Sequence, residues 1–250
     1  MKTTKRIFWV AVILILGLFA YSFLGAKGSI VITSPLDQTI VYLDNVSYRT
    51  IKKDSPLSIR IDAGVHTIIT SRDGYFPWTK DVEVVEGETI TLSPFMLPSN
   101  PSGEIITGAD PEHDKIVSLV KKAPLPVRES RKRSDSGNVE IWVAGNTIYA
   151  NWIGKKEEVP VYFCLAGQDP CDTTIEIFRA ESVENLDFYA NREDVLIFSA
   201  GNGVMAIEMD GRGDIKNSQP LYLGTRPHFF KQDASTLYVL DGETLAQIAI

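Results

Sequence analysis

A continuous apolar stretch near the N-terminus places the strongest constraint on this chain. Residues Ile7 to Ala26 read IFWVAVILILGLFAYSFLGA and contain no charged residue in 20 positions. A helix of about 20 apolar residues is long enough to cross the roughly 30 Å hydrocarbon core of a bilayer. Three cations precede the stretch and only Lys27 follows it closely, which predicts a cytoplasmic N-terminus. We therefore expect a transmembrane segment from Ile7 to Ala26, an N-terminal membrane anchor of residues 1–27, and an extracytoplasmic location for the bulk of the chain.

A cleaved signal peptide is the alternative interpretation of this stretch. The apolar region of a signal peptide runs about 7–15 residues and ends at a site of the A-x-A type. The stretch here is longer, and Ala20-Tyr21-Ser22 and Leu24-Gly25-Ala26 match such a site poorly. Both interpretations export the remainder of the chain, and we expect the anchor to stay uncleaved.

The exported part is acidic. The whole chain carries a formal charge of −7, and the first 27 residues contribute +4, which leaves −11 for the remainder. Nucleic acid phosphates would repel such a domain, so the charge argues against a nucleic acid partner. The composition is 44% hydrophobic and 23% charged, which is ordinary for globular proteins and predicts a packed core.

After Lys27 the apolar residues alternate with polar ones at a period of two, which is typical of β-strands. Glycine, proline and Asx residues lie between these stretches, as turns require. The pattern predicts a small antiparallel β-sandwich over residues 28–97. The predicted strands are Ser29–Thr33, Thr39–Leu43, Leu57–Ile61, Val65–Thr70, Lys80–Val84 and Glu88–Leu92.

An ordered set of short motifs runs through the same segment. In chain order they are Gly28, Ser34-Pro35, Val41-Tyr42-Leu43-Asp44-Asn45, Ser55-Pro56, Gly64-x-His66, Gly74-Tyr75, Glu86-Gly87 and a closing Leu92. With these motifs residues 28–97 resemble a PEGA domain, a small β module of bacterial surface and membrane proteins. At the name-giving motif the chain has Pro35-Leu36-Asp37-Gln38 instead. The resemblance implies a binding or spacing role and supplies no catalytic residue, and we expect His66 to be a hydrogen-bonded structural residue.

Residues 98–137 differ in character from the segments on either side. Five prolines interrupt them, and the charge turns positive. The stretch 114–122 is compatible with a short helix, and residues 128–133 contain three arginines and a lysine. The pattern predicts a solvated linker with a short helix. The alternative is a basic tether that contacts anionic headgroups or wall polymers.

The strand pattern resumes at residue 138 and continues to the C-terminus. Two similar units follow each other, with Phe188 and Phe229 41 residues apart, which is the period of a propeller blade. Residues 138–250 therefore resemble part of a β-propeller. The 112 positions from residue 139 onward are too few for a ring of four blades at about 40 residues each. We expect an incomplete propeller, or sheets that stack as an open sheet or sandwich whose exposed edges need cover from a partner or another copy.

Cys164 and Cys171 are the only cysteines, with six residues between them. In an exported chain this spacing predicts a disulfide across a hairpin, and free thiols are the alternative. Two thiols alone cannot complete a zinc site.

Other candidate motifs carry little weight. Arg212-Gly213-Asp214 follows a strand, where a tight turn is expected rather than an adhesion motif, and Asp210 with Asp214 supplies too few ligands for calcium. The acidic pairs Glu157-Glu158 and Glu193-Asp194 are those expected on any solvated surface of a chain with 32 acidic residues. The three histidines are too dispersed along the sequence to suggest a site.

The sequence contains no recognisable nucleophile, phosphate-binding or metalloprotease motif. We therefore expect no enzyme, and no catalytic, cofactor-binding or metal-binding residue. The predicted fold is mainly β, with a transmembrane helix, a PEGA-like sandwich and a propeller-like or sandwich region. The expected function is an extracytoplasmic binding protein of the bacterial cell envelope that recognises a protein or a cell-wall polysaccharide. A structural spacer in a membrane complex is the alternative, and a wall-active hydrolase is a third hypothesis.

Overall fold

The computed structural model describes residues 27–123, 130–164, 171–213 and 215–250. The predicted transmembrane segment Ile7–Ala26 lies outside these residues, and within them no helix is both long and apolar enough to span a bilayer. The described chain is mainly β, as the alternation of apolar residues predicts, and it contains a single α-helix.

Residues 27–97, the first β region, form two sheets around a common core. Sheet I has the strand order β4-β1-β7 and sheet II the order β3-β2-β5-β6. All six predicted strands are present, and the largely exposed strand β3 is additional. Every pair is antiparallel except β1 with β7. The strands are β1 (Lys27–Ile32), β2 (Thr39–Leu43), β3 (Val46–Ile51), β4 (Leu57–Asp62), β5 (Gly64–Ser71), β6 (Trp78–Val84) and β7 (Thr89–Leu92).

Alternate side chains of these strands build the core of the first β region. Ile30 and Ile32 of β1, Ile59 of β4 and Ile68 of β5 are almost completely buried. Burying an isoleucine side chain stabilises the fold by roughly 1.5–3 kcal/mol. A slip of one residue would turn this set toward solvent, so the alternation also fixes the register of the strands.

Two local features explain how the first β region closes. At the β2–β3 turn Asp44 and Asn45 have φ of 50° and 65°, which Asx residues tolerate and tight hairpins require. At Gly28 a Cβ atom would lie 2.5 Å from the backbone oxygen of Val85. Only glycine therefore fits at the start of β1, where the chain enters the domain.

Residues 102–250, the three-sheet region, form three four-stranded antiparallel sheets. Sheet III contains β9 (Lys132–Arg133), β10 (Val139–Ala144), β11 (Thr147–Trp152) and β12 (Thr174–Arg179). Sheet IV contains β13 (Asn185–Phe188), β14 (Val195–Ala200), β15 (Gly203–Glu208) and β16 (Ser218–Leu223). Sheet V contains β17 (His228–Lys231), β18 (Thr236–Asp241), β19 (Thr244–Ala249) and β8 (Gly103–Ile106).

Part of the segment assigned to a linker is built into this region. Strand β8 pairs with β19, so that Ile106 lies opposite Leu245 near the other end of the chain. The helix α1 (His113–Lys122) packs Ile116 and Val120 against the outer face of sheet V. Residues 98–137 thus contain a strand that completes one sheet, a helix that covers it, and β9 of sheet III.

The three sheets stack in the order III, IV, V. Sheet IV lies in the middle, and its near-continuous apolar strand β14 contacts sheet III with Leu196 and sheet V with Ile197. Helix α1 covers the far face of sheet V. On the far face of sheet III, Trp142 and Tyr149 stack with ring centroids 5.6 Å apart, and the Arg131 guanidinium lies 4.2 Å from the Trp142 ring.

The propeller interpretation needs correction in one respect. The described strands of the three-sheet region form three separate four-stranded sheets and no closed ring. Successive sheets do bury their faces against each other, as the repeated pattern predicts. At one end of the stack the amphipathic helix α1 covers sheet V, and at the other end sheet III presents an aromatic and charged face. Ring closure is therefore not needed to remove apolar surface from water.

Candidate functional site

A group of charged side chains lies where the first strands of the three stacked sheets meet. Strands β9, β13 and β17 each form the edge of their own sheet on this side. The backbone N–H of Phe229 on β17 donates to the Asn185 side chain on β13 across 3.1 Å, which ties sheets IV and V together. We call this group the inner-edge cluster; its members are Lys132, Glu184, Asp187, Arg226, His228 and Lys231.

Asp187 is the centre of one half of the inner-edge cluster. Lys132 of sheet III forms an ion pair with its Oδ2, and Lys231 Nζ of sheet V lies 3.7 Å from its Oδ1. Lys231 also donates to the backbone oxygen of Phe188 at 2.9 Å. The Asp187 side chain is only 10% exposed. One carboxylate therefore holds cations from both neighbouring sheets, as a buried charge requires.

Glu184 is the centre of the other half. Arg226 Nε donates to Glu184 Oε1 at 2.8 Å, and the Arg226 side chain is 75% exposed. His228 Nε2 lies 3.2 Å from Glu184 Oε2, but Oε2 is buried and accepts no hydrogen bond from the described residues. This half of the cluster thus combines a carboxylate oxygen that accepts no hydrogen bond from the described residues and an arginine side chain that is largely exposed.

The position of Glu184 in the fold follows from the strand directions. Arg192, after the end of β13, donates to the backbone oxygens of Ser93 and Pro94 in the first β region. Glu184 precedes β13 and therefore lies at the opposite end of sheet IV. The Glu184 half of the cluster consequently faces away from the first β region.

The arrangement suits recognition of a polar partner by charged side chains. The predicted absence of a metal site is not tested by the structure, although the described residues contain no group of three or more potential ligands that could hold a metal. Sequence reasoning missed this cluster, because its members come from segments whose proximity depends on the stacking of three sheets. His228 was considered only as a dispersed histidine.

A second polar network joins the first β region to sheet IV. Lys80 Nζ forms a buried ion pair with Glu208 and donates to the backbone oxygens of Asp210 and Ile215 at 2.9 and 3.1 Å. Glu208 also accepts from Trp78 Nε1 at 2.8 Å. All three ammonium protons of Lys80 thus have acceptors, which allows this lysine to be fully buried.

The first two residues of the Arg-Gly-Asp tripeptide, Arg212 and Gly213, are part of this same interface. Arg212 forms an ion pair with Asp210 and donates to the backbone oxygen of Thr91 at 3.2 Å. A Cβ at Gly213 would lie 2.2 Å from the Asp81 backbone oxygen. Burial raises the pKa of Asp210, but its bonds to Arg212 outweigh this and hold the pKa below its usual value. The arginine therefore packs against the first β region; Asp214 lies outside the described residues.

His66 is hydrogen-bonded on both ring nitrogens. Nδ1 lies 2.8 Å from Asp44 Oδ2, and Nε2 lies 2.9 Å from the backbone oxygen of Asp62. Burial lowers the pKa of His66, but the bonds to Asp44 and Asp62 outweigh burial and raise it. Both neighbours are acceptors, so the imidazolium form satisfies them best.

The remaining candidate residues are dispersed. Cys164 and Cys171 form a disulfide at the edge of a segment that is not described. The His113 ring pairs with Asp114 at the start of α1, and its backbone N–H donates to the backbone oxygen of Asp110. In the two acidic pairs, Glu158 forms an exposed ion pair with Lys155, and Asp194 forms an ion pair with Arg192. The structure brings none of these residues together with the inner-edge cluster.

Comparison with known proteins bears on the first β region. No curated protein matches the chain. A crystal structure from Bacteroides fragilis NCTC 9343, described as a "putative membrane-associated protein of unknown function", is similar over 89% of this chain and 93% of that chain, with 11% identity and a TM-score of 0.23. A TM-score this low does not establish a shared fold. Residues 27–106 match the family described as the PEGA domain, so the first β region is similar to that domain, as its motifs predict.

Proposed function

We propose that the chain is a membrane-anchored, extracytoplasmic binding protein of the bacterial cell envelope that recognises a protein or a cell-wall polymer. The apolar stretch Ile7–Ala26 ends directly before β1, which begins at Lys27. A helix in the membrane would therefore continue into the first β region without a linker. This arrangement would hold the first β region close to the bilayer surface.

The observation that carries the proposal is the Glu184 half of the inner-edge cluster. It lies at the end of sheet IV that points away from the first β region. The Arg226 side chain is 75% exposed although its guanidinium pairs with Glu184. Arginine positioned in this way is a common recognition residue, because its planar group binds carboxylates and phosphates with two hydrogen bonds.

Co-sedimentation with insoluble cell-wall material tests the proposal. The full chain, inserted in nanodiscs, would be mixed with purified wall and centrifuged over a range of salt concentrations. We expect binding that Arg226→Ala weakens. Arg179→Ala is the matched control, because Arg179 is 68% exposed and also pairs with a glutamate. Unchanged binding by the Arg226 variant would contradict the role of the cluster.

A chain that stays in the supernatant would exclude the wall polymer and leave a protein partner. Crosslinking in native membranes would then be the decisive experiment. If no protein crosslinks to the three-sheet region either, the binding function is wrong.

One observation favours the alternative of a structural spacer in a membrane complex. The buried Lys80–Glu208 ion pair and the Arg192 and Arg212 contacts fix the first β region firmly on sheet IV. A rigid unit of this kind could hold other subunits at a set distance from the bilayer. Crosslinks confined to the anchor and the first β region would support the spacer over the binding protein.

A further inference from the structure

An open groove lies on the first β region, at the end of sheet II where β2 begins and β5 ends. Its volume is about 450 Å³, within the range of small-molecule sites. Ile40 lies between Thr50 and Ser71 on the neighbouring strands. The groove is lined by Gln38, Ile40, Thr50, Arg72 and Asp73.

Arg72 is unusual among the arginines of the described chain. Six others form ion pairs with carboxylates: Arg131, Arg133, Arg179, Arg192, Arg212 and Arg226. Arg49 and Arg60 lack such a partner but are exposed. Arg72 is half-buried, and the interaction its guanidinium makes with the described residues is with the Tyr75 ring, 4.9 Å from its centroid. A half-buried cation with its hydrogen-bond donors free favours an anionic ligand.

Backbone hydrogen bonds fix the conformation of the turn that carries Arg72. Tyr75 N–H donates to the Arg72 backbone oxygen at 3.1 Å, and Gly74 has a φ of 78°, which glycine adopts without strain. Ser99 N–H donates to the Gly74 oxygen at 2.9 Å. The contact with the Tyr75 ring and the fixed turn hold the guanidinium in place before any ligand binds, which reduces the entropy lost on binding.

The groove also presents a negative charge. Asp73 follows Arg72 directly, yet the two side chains form no ion pair, and the Asp73 carboxylate has no hydrogen-bond partner among the described residues. Gln38 adds an amide beside them and holds a φ of 55°, which is uncommon for a residue with a side chain. The groove therefore offers separate sites for an anion and a cation beside one apolar side chain.

We propose that this groove binds a small zwitterion of the amino acid or dipeptide class, with the ligand carboxylate on Arg72 and its ammonium group on Asp73. Thr50 and Gln38 supply further hydrogen bonds, and Ile40 contacts an aliphatic side chain of the ligand. This site is separate from the inner-edge cluster and goes beyond the proposed function.

Titration calorimetry of the full chain in nanodiscs tests the assignment with three matched probes. Alanyl-alanine carries both charges, N-acetyl-alanyl-alanine only the carboxylate, and alanyl-alanine amide only the ammonium. We expect alanyl-alanine to bind, and each single-charge analogue to bind about tenfold more weakly, because each lacks one charge-assisted contact. No heat of binding with alanyl-alanine, or equal affinity for all three probes, would overturn the proposal.

Variants separate the two charges. Arg72→Gln should remove the preference for alanyl-alanine over its amide, and Asp73→Asn should remove its preference over the acetylated peptide. Arg60→Gln is the matched control at an exposed arginine and should change neither. Asp73 is exposed on a turn, so its variant tests the site even if Arg72→Gln disturbs the packing on Tyr75. Unchanged preferences in both variants would refute the assignment.

The wall sedimentation assay keeps this inference distinct from the proposed function. Loss of dipeptide binding in Asp73→Asn with undiminished sedimentation would leave both intact as separate sites. A wild-type chain that sediments with wall material but binds no dipeptide would refute only the groove.

Discussion

Removing the buried lysine at the interface of the first β region and sheet IV should destabilise the whole fold. Lys80 is 0% exposed, and Lys80→Met keeps most of its volume while it deletes the charge and three hydrogen bonds. Breaking a buried ion pair from one side costs about 3–5 kcal/mol. Glu208 would keep its hydrogen bonds from Trp78 and Asn217, so we expect a loss of about 3 kcal/mol in the free energy of unfolding.

Chemical and thermal unfolding of the full chain in detergent would measure this loss. At roughly 2–4 °C per kcal/mol for a protein of this size, Tm should fall by about 6–12 °C. The matched control is Lys155→Met, because Lys155 also pairs with a glutamate at 2.8 Å but is 76% exposed. An exposed pair of this kind contributes only about 0–1 kcal/mol.

A double-mutant cycle makes the test stricter. Glu208→Gln alone leaves the ammonium group of Lys80 buried without a counter-charge, so it should also be strongly destabilising. The double variant should lose less than the two single variants together, because neither partner is left with an uncompensated charge. Strictly additive losses, or a Lys80→Met variant no less stable than Lys155→Met, would refute the role of the buried pair in joining the two regions.

Four further predictions follow from the fold. The pKa of His66 is raised in the folded protein, so its contribution to stability should be full below about pH 6.5 and lost as the pH rises through the folded pKa. The free energy of unfolding, measured at pH 5.5 and 8, should therefore depend less on pH in His66→Asn than in the wild type. Cys171→Ser should lower the free energy of unfolding by about 2–3 kcal/mol, and a reductant should then have no additional effect. Ile116→Ala should lower the free energy of unfolding by about 2–5 kcal/mol, because the Ile116 side chain is 5% exposed. Leu119→Ala, at 37% exposure on the same helix, should change it little. Equal losses would contradict the packing of α1 on sheet V. A reporter fused to the C-terminus should be active only outside the cytoplasm, and cytoplasmic activity would refute the predicted orientation.

Local patterning predicted the strands well. The stretch Thr39–Leu43 forms β2 as predicted, and the alternating segments from Val139 onward form strands β10 and β11. Strand β3 was missed although Val46 and Tyr48 alternate with polar residues, and five of its six residues are exposed to solvent. Strand β8 was missed because it is short and preceded by prolines, which are typical of loops.

The two polar networks show where sequence reasoning stops. Lys80 alternates along β6 with the same period as Trp78, Val82 and Val84, whose side chains face the core. This pattern indicates that the lysine is buried. The sequence does not reveal its partner Glu208, which lies 128 positions further along the chain. The same holds for Asp187, whose cationic partners come from the sheets on either side.

The sequence by itself therefore determined the positions of most strands, the match to the PEGA domain and the apolar stretch before it, because periodicity and turn residues are local properties of the chain. Only the tertiary structure decided that β8 completes the sheet of β19, that three sheets stack without closing a ring, and that Lys80 meets Glu208. These features depend on which apolar faces pack together and which opposite charges pair when the chain folds. The free energy of those contacts arises between residues distant in sequence, so no local pattern encodes it.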